Sequence, residues 1–238
     1  MDETLSAMRI AVVVQARMGS SRFPRKVLEP ILGKPLLLYL VESLRHCRTV
    51  DAVVVATSTD AADDALAEFC ATQGLQCIRG PLCNVAERFL RCMDAFPCEA
   101  VVRVNGDSPL LDHRLVDQGV SLFRQGGYDV VTNVCPRSFP KGQSVEVLSV
   151  ATYRSVFPLM RDPADLEHVT RYFYGNRGCC RLHNFSFEPP CSDLQMSVDT
   201  PQDLARVAAL LGRMSRPHWQ YRVEEMVALE RNPGDVRV

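Results

Sequence analysis

Apolar residues fall in two rhythms along this chain. Arg9 to Gln15 reads RIAVVVQ, a β-branched run with no polar break between Ile10 and Val14. Such a run fits a strand buried on both faces, as in the centre of a parallel sheet. Ala52–Ser58 (AVVVATS) and Glu99–Asp107 (EAVVRVNGD) repeat the pattern, and shorter strands are predicted in CIRG, GYDVVTN, SVEVLSV and CRLHNFSF. Between them lie stretches with helical spacing: PLLLYLVESLRH, with Leu37, Leu40, Val41 and Leu44 as its buried stripe, then Ala62 to Ala71, NVAERFLRCMDAF, and a helix capped by Asp112 that runs through Val120 to Phe123. PADLEHVTRYFYGN and TPQDLARVAALLGRM continue the series, the latter with Thr200 as cap and Pro201 in the first turn.

This alternation predicts β/α crossovers, hence a doubly wound, Rossmann-like α/β fold with a mixed, mainly parallel sheet flanked by helices. No repeat or linker divides it, so residues 1–238 are expected to form one domain, with a small β-rich insertion near 135–195 serving the acceptor or a dimer contact. Trp219 and Tyr221 are expected to pack a terminal helix against the domain.

Composition narrows the function. The 238 residues carry 27 Lys plus Arg against 28 Asp plus Glu, a net charge of −1, which gives no broad basic field for nucleic acid. No apolar run approaches the roughly 20 residues needed to span a bilayer, and the amino end lacks a basic segment followed by an apolar one. A cytoplasmic protein is therefore expected. The ten cysteines are scattered without a C-x-x-C pair, which argues against a zinc knuckle or dithiol site.

The polar loop after the first strand, Gln15-Ala-Arg-Met-Gly-Ser-Ser-Arg-Phe-Pro-Arg-Lys-Val-Leu28, holds four cations between Arg17 and Lys26, with Gly19, Ser20 and Ser21 among them. Backbone N–H groups and hydroxyls there can cradle phosphate, while guanidinium and ammonium groups offset its charge. An exposed basic turn would read the same way. The loop resembles the nucleotide-binding signature of cytidylyltransferases that activate acidic sugars, closest to the spore-coat polysaccharide biosynthesis group. The resemblance recurs at Val54–Ser58, Arg103–Leu110, Phe139–Gly142, Glu167–Thr170 and Ser197–Leu204, so it spans almost the whole chain.

The resemblance implies a nucleotide-diphospho-sugar transferase fold and transfer of CMP from CTP to a sugar acid, sugar phosphate or phosphonate, with release of pyrophosphate. It assigns phosphate contacts to Arg17 and Lys26, with Gly19, Ser20 and Arg22 nearby, and adds Gln15, Ala16 and Asn105 to the nucleotide site. Thr57, Ser58, Arg79 and Gly80 occupy two turns that can meet base or ribose, or can merely end strands. The resemblance makes Asp107 and Asp199 Mg²⁺ ligands, a role that hard carboxylate oxygens suit, though spacing alone reads equally as a capping or turn-forming aspartate; Arg17, Lys26, Asp107 and Asp199 form the expected catalytic set. Asp203 fits a helix-turn charge better than a ligand.

For the acceptor, the resemblance points to Lys141, Glu146 and His168. Glu146 either orients an acceptor hydroxyl, pairs with Lys141 or is purely architectural, and His168 with Thr170 either faces the cleft or caps a polar gap from a helix whose Leu166, Val169 and Phe173 point inward. Two positions depart from the family pattern, which commonly has acids there: Asn84 and Ser144. They leave open a catalytically inactive nucleotide binder, and a nucleotide-sugar-dependent glycosyltransferase is the other alternative. The family also implies a homodimer.

Overall fold

The computed structural model describes residues 9–232; the first eight residues, part of the stretch read for a leader segment, lie outside them. In chain order the elements are β1 (Ile10–Gln15), β2 (Pro30–Ile31), β3 (Lys34–Pro35), α1 (Leu36–Leu44), β4 (Ala52–Ser58), α2 (Asp64–Thr72), β5 (Gln76–Gly80), α3 (Val85–Ala95) and β6 (Ala100–Asn105). There follow α4 (His113–Arg124), β7 (Val130–Thr132), β8 (Glu146–Ser149), α5 (Val150–Val156), α6 (Pro163–Glu167), α7 (Arg171–Gly175), β9 (Leu182–Asn184), α8 (Pro201–Gly212) and α9 (Val223–Arg231).

Seven strands form one sheet in the order β5-β4-β1-β6-β8-β7-β9. Every pairing is parallel except the two made by β8, which runs against both β6 and β7. The reversal has a consequence for the site. The first residue of β8, Glu146, lies at the same sheet edge as the carboxyl ends of β1, β6 and β7, paired with Arg103 on one side and Thr132 on the other. From β1 the chain first builds outward through β4 and β5, then returns to add β6 on the opposite side. A crevice opens at the carboxyl ends of strands where winding changes direction, which is where such sheets receive ligands.

Both faces of β1 are buried, as its sequence requires. Ile10, Val12 and Val14 join a core with α1, α2, α4, α8 and α9, whereas Ala11 and Val13 join a second core with α3, α5 and α7. The predicted stripe Leu37, Leu40, Val41 and Leu44 is at most 1% exposed. Tyr221 is buried and its hydroxyl accepts from the Ser215 N–H, while Trp219 stacks on His46 with ring centroids 5.2 Å apart.

Three local readings change. The loop before α1 contains a two-residue hairpin, β2–β3, turning through Leu32 and Gly33 at φ 48° and 82°; the positive φ at both central positions matches the sheet's twist. The strand read as SVEVLSV stops at Ser149, whose hydroxyl accepts from the Thr152 N–H and starts α5. The helix read through PADLEHVTRYFYGN breaks at His168 (φ −108°, ψ 62°) into α6 and α7, a break that leaves Val169 and Phe173 in the core. Residues 135–195 supply β8, β9 and α5–α7 to the main architecture, and the separate two-stranded sheet is β2–β3.

Candidate functional site

The loop after β1 is tied down at both ends. Met18 donates its N–H to Asp63 Oδ1 at 2.6 Å, and its carbonyl accepts from the N–H groups of Ser20 and Arg25. Arg25 takes a left-handed conformation (φ 64°) that starts a short 3₁₀ turn at Lys26–Leu28. That turn carries the Lys26 side chain inward, where it is 8% exposed. Its Nζ donates to Asp107 Oδ2 at 2.6 Å, Asp199 Oδ1 at 3.0 Å and the Val198 carbonyl at 2.8 Å. Arg22 reaches the same Asp199 oxygen at 2.9 Å.

The two acidic loops are joined through their backbones as well, because the Val198 N–H donates to the Asp107 carbonyl at 2.9 Å. Asp203 closes a capping box with Thr200 at the start of α8 and also accepts the Asp199 N–H at 3.0 Å. Burial pushes the Asp203 carboxyl up, but the N–H groups of Asp199 and Thr200, the Thr200 hydroxyl and Arg206 outweigh it and hold the pKa below its usual value. Gly106 allows β1 and the loop after β6 to meet, since a Cβ there would lie 2.8 Å from Ala16 Cβ and 3.1 Å from the Gln15 carbonyl oxygen. Gly142 (φ 97°) does the same on the other side, against Met196 and Ser197.

Around this hub lie three clefts in a row. The first, of about 240 Å³, is lined by the loop and by Asn105, Asp107 and Asp199. The second, about 630 Å³, lies over β6, β8 and α7, between residues such as Arg103, Arg137, Glu146, His168 and Tyr174. The third, about 400 Å³, lies between Gly19, Asp60, Cys83 and Glu167. Asn105 lines both the first and second clefts, and Arg17 lines both the first and third. Arg17 is paired with Glu167 at 3.2 Å.

The cytidylyltransferase family profile matches residues 11–168, which contain the loop, β6 and His168. The chain belongs to the cytidylyltransferase family. It is a CTP-dependent nucleotidyltransferase. The spore coat polysaccharide biosynthesis protein SpsF of Bacillus subtilis (strain 168) is 29% identical over 235 residues, covering 94% of this chain and 95% of that protein. The 3-deoxy-manno-octulosonate cytidylyltransferase of Anaeromyxobacter sp. (strain Fw109-5) is 32% identical over 164 residues, covering 67% of this chain and 65% of its own length. In three dimensions, a cytidylyltransferase from Leptospira borgpetersenii serovar Hardjo-bovis (strain JB197) superposes with a TM-score of 0.89 over 97% of each chain at 24% identity, which shows a shared fold.

In this cytidylyltransferase the first cleft gathers Gln15, Ala16, Arg17, Ser20, Arg22, Lys26, Asn105, Asp107 and Asp199, all named from the sequence. Gly19 lines the third cleft, and a Cβ there would meet open space. Thr57, Ser58, Arg79 and Gly80 line none of the three. Ser58 donates its hydroxyl to Asp63, the residue that anchors Met18, so it supports the loop from beneath. Arg79 braces the Asp60 turn through the Ser58 and Asp60 carbonyls and Asp64. Gly80 makes room for Arg88, whose Cγ would stand 2.6 Å from a Cβ.

Glu146 and His168 line the second cleft, but Lys141 does not. Its side chain is exposed, and its contribution is backbone: Lys141 N–H donates to Leu194 and its carbonyl accepts from Met196, holding the segment that leads to Asp199. Glu146 pairs with Arg103 and accepts from the Tyr174 hydroxyl, so the proposed partner Lys141 is replaced by a cross-strand arginine. Arg103 in turn donates to Gln15 Oε1 at 3.1 and 3.2 Å, which links the second cleft to the first. Arg103, Arg137, Tyr174 and Gly106 were missed as site residues. Strand periodicity could have found Arg103, two residues before Asn105 and so on the same face of β6, but nothing local marks Tyr174 or Arg137. Asn84 has an evident local role: its Oδ1 caps α3 by accepting the Glu87 N–H at 2.9 Å, a task at which Asn equals Asp.

Proposed function

We propose that the enzyme transfers CMP from CTP to a hydroxyl of a sugar acid or related acidic acceptor, with release of pyrophosphate. The observation that carries this reading is the row of three clefts joined by Arg17 and Asn105. A nucleoside in the third, its triphosphate among the cations of the first and an acceptor in the second would place the α-phosphate near Asn105. That is where bond exchange must occur. The names of the relatives, which concern spore-coat polysaccharide and an eight-carbon sugar acid, support an acidic sugar acceptor.

Asp107 and Asp199 fit a divalent cation, because both already face one positive nitrogen, Lys26 Nζ. Among the described residues no group of three or more His, Cys, Asp or Glu could hold a metal by itself. Two carboxylates completed by phosphate oxygens and water are the arrangement Mg²⁺ favours. When bound, Mg²⁺ supplies charge neutralisation across the phosphates. Lys26, Arg22 and Arg17 offset the charge that grows on departing pyrophosphate, and Asn105 orients groups at the junction. Transfer is direct: the acceptor oxygen bonds to the α-phosphorus and gives up its proton to solvent as the bond from that phosphorus to the bridging oxygen breaks and pyrophosphate leaves with the electron pair.

The test crosses CTP, UTP, ATP and GTP with a panel of sugar acids, sugar phosphates and phosphonates, with and without Mg²⁺, and follows pyrophosphate and product mass. CTP-dependent pyrophosphate together with a CMP-acceptor adduct is expected. Sugar transfer from a nucleotide sugar without pyrophosphate would overturn the reading.

A further inference from the structure

The second cleft is rich in cations, and most of them are already spoken for. Arg103 pairs with Glu146 and donates to Gln15. Arg171 pairs with Asp162 at 3.0 Å and Asp165 at 2.6 Å. Arg137 differs from both. Its Nη2 donates to the hydroxyl of Ser144 at 3.0 Å, its Nη1 is buried without a hydrogen-bond partner, and it makes no ion pair among the described residues. The facing charge is Glu146, whose carboxylate is committed to Arg103 and Tyr174. Burial pushes the Arg137 guanidinium below its ordinary pKa, against the pull of Glu146 and Tyr174.

We propose that Arg137 is the carboxylate-binding residue of the acceptor cleft, and that Ser144 keeps it available by holding it without neutralising it. The inference rests on the second cleft being the acceptor cleft. A guanidinium presents parallel N–H donors that match both oxygens of one carboxylate, and a donor left bare in a part-buried wall gains most from such a partner. Arg103 and Arg171 are committed to protein carboxylates, so Arg137 is the guanidinium of this wall whose donors remain for a ligand, and a flat carboxylate meets a flat guanidinium edge to edge. The cleft volume of about 630 Å³ accommodates a sugar-sized molecule around that contact. Ser144 decides the outcome because an aspartate at that position would put a permanent carboxylate within reach of Arg137.

Ligand-observed NMR on the full chain with CTP present tests the assignment, using 3-deoxy-manno-octulosonate, glucuronate and galacturonate, the methyl ester of each, and glucose 1-phosphate. Pyrophosphate release is followed in parallel, and CTP binding reports that each variant is folded. At least one free acid is expected to bind, with its ester about ten-fold weaker or more, and Arg137→Met should weaken that acid about 10- to 100-fold. Ser144→Asp should weaken it by about ten-fold more than Ser144→Asn, which can still accept from Arg137 but carries no charge. Acid binding unchanged in Arg137→Met, preference for glucose 1-phosphate, or failure of every acid to bind a wild-type protein that binds CTP would each overturn the inference. None of these results touches CMP transfer, which stands or falls on pyrophosphate and product mass.

Discussion

Lys26 and Asp107, 81 positions apart in the chain, meet with Nζ 2.6 Å from Oδ2. Asp199 shares the same ammonium, so a single lysine separates two carboxylates on loops already tied through Val198 and Asp107. Lys26→Met should reduce turnover by roughly 10²- to 10³-fold, the range seen when one charge-stabilising donor is removed. It should also leave the two carboxylates facing each other. Mg²⁺ is then expected to raise the melting temperature of Lys26→Met more than that of the wild type, measured by thermal unfolding with the metal and with a chelator. Equal shifts in both proteins would show that the carboxylates do not share one cation site.

Arg17 faces a competition. Its pair with Glu167 is 3.2 Å long, with the two side chains 41% and 30% exposed, so it stabilises the fold little. A triphosphate must take Arg17 away from Glu167. Glu167→Gln should therefore strengthen CTP binding, by up to about five-fold if the exposed pair is worth up to about 1 kcal/mol. Calorimetric titration of CTP at low and moderate salt checks this, with the advantage shrinking as salt rises. Weaker CTP binding in Glu167→Gln would mean that the carboxylate contributes to the nucleotide site directly.

His218 gives the fold a pH dependence. It is 7% exposed, and its Nε2–H donates to the Tyr39 carbonyl at 2.7 Å. Burial lowers its pKa from 6.5, despite the favourable Tyr39 contact. The unfolded chain consequently binds this proton more readily, so stability contributed by neutral His218 is full above pH about 6.5 and falls as the pH drops toward the lowered folded value. His113, also pushed down by burial, acts in the same direction. His218→Gln keeps a donor for Tyr39 and removes the titration, so urea unfolding at pH 7.5 and 5.5 should show a smaller loss of stability than in wild type, though not none. An unchanged loss would place the pH dependence elsewhere.

The strands were legible because β1, β4 and β6 each contain a short, β-branched apolar run bounded by polar residues, which length and composition separate from a buried helix. The first cleft was legible for a different reason: its loop concentrates cations, small residues and a turn within one short segment, and Asp107 and Asp199 each stand in a recognisable polar stretch. The second cleft was harder. Its wall comes from single residues on β6, β8 and α7 and on the segments between β7 and β8 and between α6 and α7, gathered around the antiparallel entry of β8, and register between strands distant in sequence leaves no local trace. Lys141 was misplaced on similar grounds, since a lysine in a polar turn gives no indication that its backbone rather than its side chain carries the contact. The break at His168 was hidden because Leu166, Val169 and Phe173 satisfy helical spacing, while the chain bends there to bury Val169 and leave His168 and Thr170 on the cleft.

Arg88 is a fully buried cation on α3. It is 1% exposed, and Nε, Nη1 and Nη2 all lack hydrogen-bond partners among the described residues. Burial pushes its pKa down; Glu167 and Asp63 oppose that from a distance, and Arg17 adds to it. A guanidinium so placed gives up its hydration without a paired carboxylate in return. Arg88→Met retains an unbranched stem to fill the space beside Gly80 and removes the charge, so it should stabilise the fold by about 1 kcal/mol or more. Urea unfolding of both proteins without nucleotide measures this directly. Stabilisation with unchanged CTP affinity would mark Arg88 as a structural liability of the helix α3. Loss of CTP affinity in an equally stable or more stable variant would show instead that the buried guanidinium supports the nucleotide-bound state.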